Sequence, residues 1–309
     1  MNRPKERSDC ASRFKLVRAK WRDAIPNRVL RPRAFSHYFV RRSRGCEVLW
    51  RSNRIIEMNF PSIYLFLLAS CLVSLAAEDP AALRYYELRI YDVTTNQMDG
   101  VRERFRETVE PVRRKHGIKT EGYWTAPGNT NGGVFVYLMS APNRAELQRQ
   151  EKDFGADPEF KAGYAASNAK HGKTVDQINA LPLSTAPDAK YDFTASKIPR
   201  GFDLRIYSVL PGKLDAFRNR WRDFAVPIYE RHGLHSLGWW VAEKKDADLN
   251  DQFVCLLAGD SIAAIRKAIS EFHQDSEWQR VEQETEANGK LRSGVTAYKL
   301  TPADFSSIK

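Results

Sequence analysis

The segment Glu87-Leu88-Arg89-Ile90-Tyr91 returns 116 residues later as Asp203-Leu204-Arg205-Ile206-Tyr207. Other matches at the same offset are His116-Gly117 with His232-Gly233, and Gly122-Tyr123-Trp124 with Gly238-Trp239-Trp240. A repeat of this length indicates a duplicated domain, because solenoid modules have shorter periods of about 20 to 50 residues. The function is therefore to be sought in what the two copies form together.

Each copy has the predicted order strand, helix, strand, strand, helix, strand. The first strands, residues 85–92 and 202–209, alternate apolar and polar side chains, and the helices that follow carry apolar residues at helical spacing. This order is that of a ferredoxin-like unit, whose sheet has helices on one face and a bare second face. The predicted fold class is therefore α+β, with two tandem ferredoxin-like units pairing as an intrachain dimeric α+β barrel.

The predicted domains are residues 84–182 and 201–306, joined by a linker at 183–200 that is rich in Pro, Ser, Thr and Ala. Pro111 and Pro227 fall near the ends of the first helices and predict an interruption of both helices at one shared point. The pairs His116-Gly117 and His232-Gly233 are typical of helix C-caps, in which Gly adopts the left-handed conformation.

The net charge of +11 lies entirely in the first 57 residues. This segment has 16 Lys and Arg against 5 Asp and Glu, so the remaining 252 residues carry 33 of each sign. The duplicated region has no net basic field to attract phosphate, and we expect no nucleic-acid partner.

Residues 58–77 are predicted to be a signal peptide, because residues 63–77 form an apolar run too short to span a bilayer. Residues 1–57 are then a basic leader upstream of the true translation start; the alternative is a basic arm followed by a signal anchor. The expected location is periplasmic or extracellular, in a bacterium. Cys71 also fits a lipobox, so the expected membrane contact is through the signal peptide or a lipid on Cys71. Only Cys255 remains after cleavage, which excludes an intrachain disulfide.

Five segments stand out together: Tyr86 to Tyr91, Pro211-Gly212, Arg231-His232-Gly233, Gly238-Trp239-Trp240 and the closing segment Leu300 to Ser306. In these residues the chain resembles NIPSNAP-domain proteins. The resemblance covers residues 84–306 and implies the dimeric α+β barrel superfamily, which includes haem-degrading and quinone-forming monooxygenases and chlorite dismutase-like proteins. It implies no agreed set of catalytic residues.

Strand alternation gives the candidate ligand-binding residues. Leu88, Ile90, Leu204 and Ile206 share one face and are predicted to lie under the helices, so the opposite face is predicted to point into the barrel. That face carries Glu87, Arg89, Tyr91, Asp203, Arg205 and Tyr207. Arg is suited to clamping a carboxylate and Tyr to donating a proton. The alternative is a closed structural network in which Glu87 pairs with Arg89 and Asp203 with Arg205.

Trp124 and Trp240 are further candidates, because Gly122 and Gly238 on the same strand face leave room beside an aromatic wall for a flat apolar ligand. The alternative is that both indoles are core. His116 and His232 are weaker candidates, since each is explained as a helix terminator. No group of residues has metal-ligand spacing, so no metal is predicted. No cofactor is predicted from the residues, and haem enters only by analogy with the superfamily.

Three functions remain open. The first is an exported protein that binds a small organic ligand in the barrel between its two repeats. The second is a cofactor-independent or haem-linked monooxygenase-like enzyme that uses the same space. The third is a structural or interaction module with a filled barrel. The sequence does not decide whether the protein is an enzyme, and it does not indicate an oligomeric state.

Overall fold

The computed structural model describes residues 84–128, 132–194, 200–244 and 250–309. The predicted basic leader, the signal peptide and Cys71 lie outside the described residues, so those expectations stay predictions. In the described part of the chain, no helix is both long enough and apolar enough to cross a membrane.

The first repeat, called repeat 1 below, contains four strands and four α-helices. Its strands are β1 (Tyr85–Val93), β2 (Lys119–Ala126), β3 (Val134–Ala141) and β4 (Val175–Thr185). Its helices are α1 (Met98–Arg104), α2 (Glu110–Lys115), α3 (Arg144–Ala156) and α4 (Pro158–His171). A π-helical turn, π1 (Phe105–Val109), joins α1 to α2.

The second repeat, repeat 2, has the same order of elements. Its strands are β5 (Gly201–Val209), β6 (His235–Ala242), β7 (Asp251–Gly259) and β8 (Arg292–Pro302). Its helices are α5 (Leu214–Arg220), α6 (Val226–Arg231), α7 (Ile262–Gln274) and α8 (Ser276–Thr285), with π2 (Trp221–Ala225) between α5 and α6.

The eight strands form one closed barrel in the order β1-β3-β2-β8-β5-β7-β6-β4. Every neighbouring pair is antiparallel, and the two repeats join edge to edge through β2 with β8 and β4 with β6. Closure leaves no free sheet edge, which removes the edge-pairing hazard of an open sheet. The prediction of two ferredoxin-like units pairing as an intrachain α+β barrel is confirmed.

Alternate residues of the strands from both repeats meet inside the barrel in one apolar core. It includes Leu88, Leu138, Leu204, Leu256 and Leu300, and it contains no helix residue. Each half of the barrel also has one core on its outer side, between its strands and the helices of the same repeat. Both faces of the sheet are therefore buried.

The prolines interrupt the first helix of each repeat as predicted. Pro111 and Pro227 have no N–H to donate, and each follows a π-helical turn. The Glu110 N–H bonds to the Phe105 carbonyl five residues back, and the Val226 N–H bonds to that of Trp221. Such π turns are frequent at functional sites, which directs attention to the space beneath them.

The closing strand of repeat 1 is longer than predicted. Leu183, Ser184 and Thr185, assigned to the linker from their composition, pair with Ala242, Val241 and Trp240 of β6. These residues extend β4 because that strand must bridge to repeat 2 to close the barrel.

Candidate functional site

The predicted orientation of the polar triplets is wrong. Leu88, Ile90 and Leu204 lie in the core inside the barrel, and Tyr207 lies in the core beneath the helices of repeat 2. The opposite face, which carries Glu87, Arg89, Tyr91, Asp203, Arg205 and Tyr207, therefore faces the helices. The inside of a closed barrel is sealed by strands all round, whereas the helix layer leaves gaps where polar side chains reach water. The apolar residues accordingly take the sealed face.

The interior of the barrel is filled. The cavity there has a volume of about 10 Å³ and a wall of apolar and aromatic side chains, including Trp124 and Trp240. This volume is close to that of a single water site and holds no organic ligand. The space between the two repeats is therefore a packed core.

The glycines beside the tryptophans do not create the predicted space. A Cβ on Gly122 would lie 2.5 Å from the Trp124 ring, and one on Gly238 would lie 2.7 Å from the Tyr191 ring. Each glycine allows an aromatic ring to pack directly against the strand backbone. Trp124 and Trp240 are 1% exposed and belong to the core, as the alternative interpretation proposed.

A larger cavity lies in repeat 1, between the outer face of its strands and its helices, and its volume is about 550 Å³. We call it the repeat 1 cavity. Apolar and aromatic side chains make up much of its wall. Four cationic side chains also line it: Arg89, Arg104, Arg113 and Lys173. The apolar wall consists of Val101, Phe105, Val109, Phe154, Phe160, Tyr164, Val175 and Ile178. A wall of this kind, with a few convergent polar groups, is typical of small-molecule sites.

Arg113 is the most unusual side chain in this wall, because it is 2% exposed and has no carboxylate within ion-pair distance among the described residues. Its Nη2 donates to the Tyr137 hydroxyl at 3.0 Å, but its Nε and Nη1 have no hydrogen-bond partner. The Tyr137 ring lies 4.5 Å from the guanidinium carbon and supplies only a cation–π contact. A buried charge without an ion-pair partner is costly, so this guanidinium is a candidate contact for an anion.

Arg104 is a second buried guanidinium without a carboxylate partner. It donates to Ser167 Oγ at 2.9 Å and to Asn168 Oδ1 at 2.7 Å, both on α4. In repeat 2 the matching Arg220 pairs with Glu286, which occupies the position of Asn168. Repeat 1 has therefore replaced a carboxylate with a neutral amide beside its cavity, which leaves the local charge more positive.

Arg89 differs from the other two arginines because its charge is neutralised. It bonds Glu87 at 2.5 Å and Glu151 at 2.6 Å. Burial raises the pKa of the Glu151 carboxyl; the charge of Arg89 opposes this, Glu87 adds to it, and the charge of Arg113 also opposes it. Arg89 thus belongs to the closed network that the sequence left as the alternative.

Two tyrosines link this network to the cavity. The hydroxyls of Tyr91 and Tyr137 lie 2.8 Å apart, and Arg113 donates to Tyr137. Burial raises the pKa of the Tyr91 hydroxyl, so it stays protonated and able to donate at neutral pH. Tyr137 is the cross-strand partner of Arg89, and its counterpart opposite Arg205 is Cys255. The hydroxyl pair is therefore specific to repeat 1.

The matching space in repeat 2 is mostly filled. It measures about 70 Å³, and its wall includes Trp221, Tyr229, Phe272 and Trp278. Tyr229 stacks on Phe272 with 3.9 Å between ring centroids. Asp203 is fully buried and binds both Arg205 at 2.7 Å and Lys299 at 2.6 Å. Arg205 also donates to the Tyr207 hydroxyl at 3.2 Å, so this triplet is a closed structural network.

His116 and His232 lie outside both cavities and perform the predicted C-cap role. Each is the C-cap residue of α2 or α6. His116 Nε2 lies 2.7 Å from Asp157 Oδ2, and His232 Nε2 lies 3.1 Å from Asp275 Oδ2. Both aspartates are N-caps, of α4 and α8, so each His–Asp pair ties two helix ends together.

The wall of the repeat 1 cavity does not fit a haem. Its residues include no His, Cys or Met, which are the commonest iron ligands. Of its two tyrosines, Tyr91 is engaged with Tyr137, and the ring of Tyr164 lies 4.5 Å from the cationic guanidinium carbon of Arg104. Among the described residues, no group of three His, Cys, Asp or Glu side chains is placed to hold a metal ion.

Four residues of this site were not among the candidates predicted from the sequence: Arg104, Arg113, Tyr137 and Asn168. Arg113 stands in the run Arg113-Arg114-Lys115, which resembles the exposed end of a helix. A comparison of the two repeats could have identified two of these residues, because Arg113 matches Tyr229 and Asn168 matches Glu286. Differences between matching elements of the two repeats indicate the candidate site better than the residues that the repeats share.

Several solved structures are similar to this chain. A proposed monooxygenase from Fusobacterium nucleatum has a TM-score of 0.50 and 10% identity, with 74% of this chain and 95% of that chain covered. An anthrone oxidase-like protein has a TM-score of 0.48 and 9% identity, covering 73% and 94%. A NIPSNAP family protein of unknown function from Agrobacterium tumefaciens has a TM-score of 0.31 and 16% identity, covering 37% and 98%.

No curated protein matches the chain. The NIPSNAP family model matches it twice, at residues 86–189 and 202–307, which together make up more than half of its length. The chain therefore belongs to the NIPSNAP family and carries two copies of its domain.

Proposed function

We propose that the protein binds a small organic anion in the repeat 1 cavity, with repeat 2 acting as its structural partner. The observation that carries the proposal is the buried guanidinium of Arg113, which has two unpaired donor nitrogens and lies in the wall of a cavity of about 550 Å³. The proposed ligand position is the space beneath the helices, whereas the sequence predicted the barrel interior, which is filled.

The composition of the wall defines the ligand class. Phe105, Phe154 and Phe160 suit a flat apolar body, and Arg104 and Arg113 suit a carboxylate or sulfonate attached to it. Tyr91 is positioned in the wall to donate a hydrogen bond to an oxygen of the same ligand. An aromatic carboxylate has both required features.

The difference between the repeats supports a single site. Phe105, Arg113 and Phe160 of repeat 1 correspond to Trp221, Tyr229 and Trp278 of repeat 2. The larger rings leave about 70 Å³ where repeat 1 has about 550 Å³. We therefore expect one organic ligand per chain.

Isothermal titration of the protein with 2-naphthoate tests this proposal, and naphthalene-2-methanol serves as the neutral analogue. We expect saturable binding of one naphthoate per chain and affinity for the alcohol at least tenfold weaker, which corresponds to about 1.4 kcal/mol. Equal binding of acid and alcohol, or no binding of either, contradicts the proposal.

A designed triple variant adds a structural control. Phe105→Trp, Arg113→Tyr and Phe160→Trp together place the residues of repeat 2 in repeat 1. We expect a folded protein with no naphthoate binding, because the rings occupy the cavity. Unchanged affinity in this variant places the ligand elsewhere.

An enzymatic role is a second candidate, which the Tyr91–Tyr137 hydroxyl pair supports, because a positioned hydroxyl can donate a proton to a developing oxyanion. A cofactor-independent oxygenase is the form of enzyme compatible with a wall that does not fit haem. Oxygen uptake on addition of a quinol, absent in Tyr91→Phe, would support it. No uptake restricts the protein to binding.

We also propose that the protein acts after export. Mass spectrometry of the mature protein tests this by fixing the N-terminus and detecting a lipid on Cys71. A mature chain that begins near residue 77 supports cleavage, and one that retains residues 1–57 contradicts it.

A further inference from the structure

We propose that repeat 2 holds a separate site for a small inorganic anion, of halide or nitrate size, in its cavity of about 70 Å³. We call this space the repeat 2 cavity. One molecule of liquid water takes up about 30 Å³, so the cavity has room for a small anion and excludes an aromatic acid. The site is independent of ligand binding in repeat 1.

The charged part of the wall is cationic. Arg205, Arg220 and Arg292 line the repeat 2 cavity, with His273 beside them, and the wall includes no carboxylate. Arg205 and Arg220 are matched by Asp203 and Glu286, which lie behind the wall. Arg292 has no carboxylate within ion-pair distance among the described residues, and its guanidinium lies 5.7 Å from the Tyr207 ring. Arg292 is half-buried, so one partly solvated positive charge at the cavity has no ion-pair partner among the described residues.

Two indole N–H groups in the wall are also unsatisfied. Trp221 and Trp278 are 3% and 7% exposed, and neither Nε1 has an acceptor. The indoles of Trp124, Trp239 and Trp240 are unpaired as well. Trp124 and Trp240 face an apolar space of about 10 Å³ with no charged residue in its wall, and Trp239 lies in the core of repeat 2 outside the cavity wall. The repeat 2 cavity combines the unpaired indole donors of Trp221 and Trp278 with cations and a volume of about 70 Å³.

Repeat 1 provides the internal comparison. Phe105 and Phe160 stand where repeat 2 has Trp221 and Trp278, so repeat 1 presents no indole donors. Val175 stands where repeat 2 has Arg292, since they pair with Val93 and Val209 at matching positions. The wall of the repeat 2 cavity thus has two indole N–H donors that repeat 1 lacks, and it has Arg292 where repeat 1 has Val175, while Tyr229 stands where repeat 1 has Arg113.

His273 supplies a reporter at the edge of the cavity. Partial burial and the positive charges of Arg205 and Arg292 lower the pKa of its imidazole, while Glu282 raises it. A bound anion adds negative charge beside these groups and should raise the pKa of His273, which NMR titration can follow.

Crystals of the full chain grown in sodium bromide test the proposal directly. The anomalous signal of bromine is expected in the repeat 2 cavity, near Arg292, Trp221 and Trp278. Bromide found only on exposed lysines and arginines, with water in the cavity, overturns the proposal. A parallel crystal in sodium nitrate shows whether the site also accepts a planar oxyanion.

Quenching of tryptophan fluorescence by iodide gives the affinity in solution, with sodium gluconate keeping the ionic strength constant. We expect a saturable component that Arg292→Gln weakens about tenfold, because one charged donor is lost. Arg280→Gln is the matched control, since Arg280 lies on the exposed side of α8 and pairs with Glu284. Equal effects of the two variants, or purely collisional quenching up to about 0.15 M iodide, contradict a specific site.

Trp278→Phe, which restores the residue type of repeat 1, provides a second test. It should weaken iodide binding and abolish the shift in the His273 pKa on addition of bromide. Naphthoate binding to repeat 1 should be unchanged. An unaltered bromide response in this variant overturns the role of the indole.

Discussion

Arg113 and Tyr229 occupy the same position in the two repeats, as the fourth residue of α2 and of α6. Tyr229 stacks on Phe272 at 3.9 Å, whereas the Arg113 guanidinium carbon lies 5.4 Å from the matching ring of Phe154. The same position therefore closes one cavity with an aromatic pair and leaves the other open with a charge in its wall. This difference is the basis of the proposed division between a binding repeat and a structural repeat.

Arg113→Met should increase stability and decrease binding. Removing an unpaired buried charge is expected to raise the free energy of unfolding by about 1–2 kcal/mol, because no counterion is lost with it. Affinity for 2-naphthoate should fall at least tenfold. Urea unfolding and calorimetric titration measure the two effects. Arg114→Met is the control, since Arg114 is 78% exposed and should change neither by much. A loss of stability in Arg113→Met would show that the guanidinium is structural.

Gly163→Ala should destabilise the protein by pushing α4 away from π1. A Cβ at Gly163 would lie 2.5 Å from Thr108 Cγ2, and the β-branched Thr108 has few rotamers in a helix. The expected cost is about 1–3 kcal/mol in urea unfolding.

The matched control for this variant is Gly155→Ala on α3, where a Cβ would meet nothing within 4 Å. It should stabilise the protein by about 0.5–1 kcal/mol, through helix propensity alone. Similar effects of the two substitutions would mean that α4 does not pack closely on π1.

Acid should weaken the fold through the two N-cap aspartates. Hydrogen bonds from His116 and Lys115 lower the pKa of the Asp157 carboxyl, and Arg231 and His232 lower that of Asp275. A lowered carboxyl pKa contributes stability above the unfolded value of about 3.9, and this contribution is lost as the pH falls below it.

Urea midpoints between pH 7 and pH 3 should therefore fall more steeply for the wild type than for Asp157→Asn with Asp275→Asn. Asparagine also caps helices well, so the double variant isolates the charge. Asp99→Asn is the control, because the Asp99 side chain is 98% exposed. Parallel pH curves for wild type and double variant would contradict the assignment.

Leu138→Ala, inside the barrel, should reduce the stability of the protein without reducing its affinity for naphthoate. Leu138 is 2% exposed inside the barrel, and its truncation is expected to cost about 2–5 kcal/mol in urea unfolding. Naphthoate affinity should stay within about twofold of the wild type, a change of under about 0.5 kcal/mol. Strong loss of binding in a folded Leu138→Ala protein would return the ligand to the interior.

The architecture was predictable because both the duplication and the periodicity of apolar residues can be read directly from the sequence. Both copies of the strand around Leu88 and Leu204, the prolines at 111 and 227, and the glycine caps at 117 and 233 agree with the structure. Which face of the sheet packs against the helices was not predictable from these signals. Alternation separates Leu88 from Arg89, but when both faces are buried it does not say which face meets the helices.

The proposed binding residues were harder to predict, because the repeat 1 cavity exists where repeat 1 lacks the larger aromatic side chains of repeat 2. Arg113 is part of a basic run in the sequence, and its burial follows from the way α2 packs against Phe154 and Tyr137. Asn168 becomes informative only beside Glu286, its charged counterpart. Tertiary packing decides both cases, and no periodic pattern encodes it.

The crystal structure of the full chain with 6-bromo-2-naphthoate tests the central claim most directly, since the anomalous signal of bromine locates the ligand unambiguously. The account predicts one ligand per chain beneath the helices of repeat 1, with its carboxylate beside Arg113 and its ring between Phe105 and Phe160. Bromine between the two halves of the barrel, in repeat 2, or nowhere at a saturating concentration would contradict it.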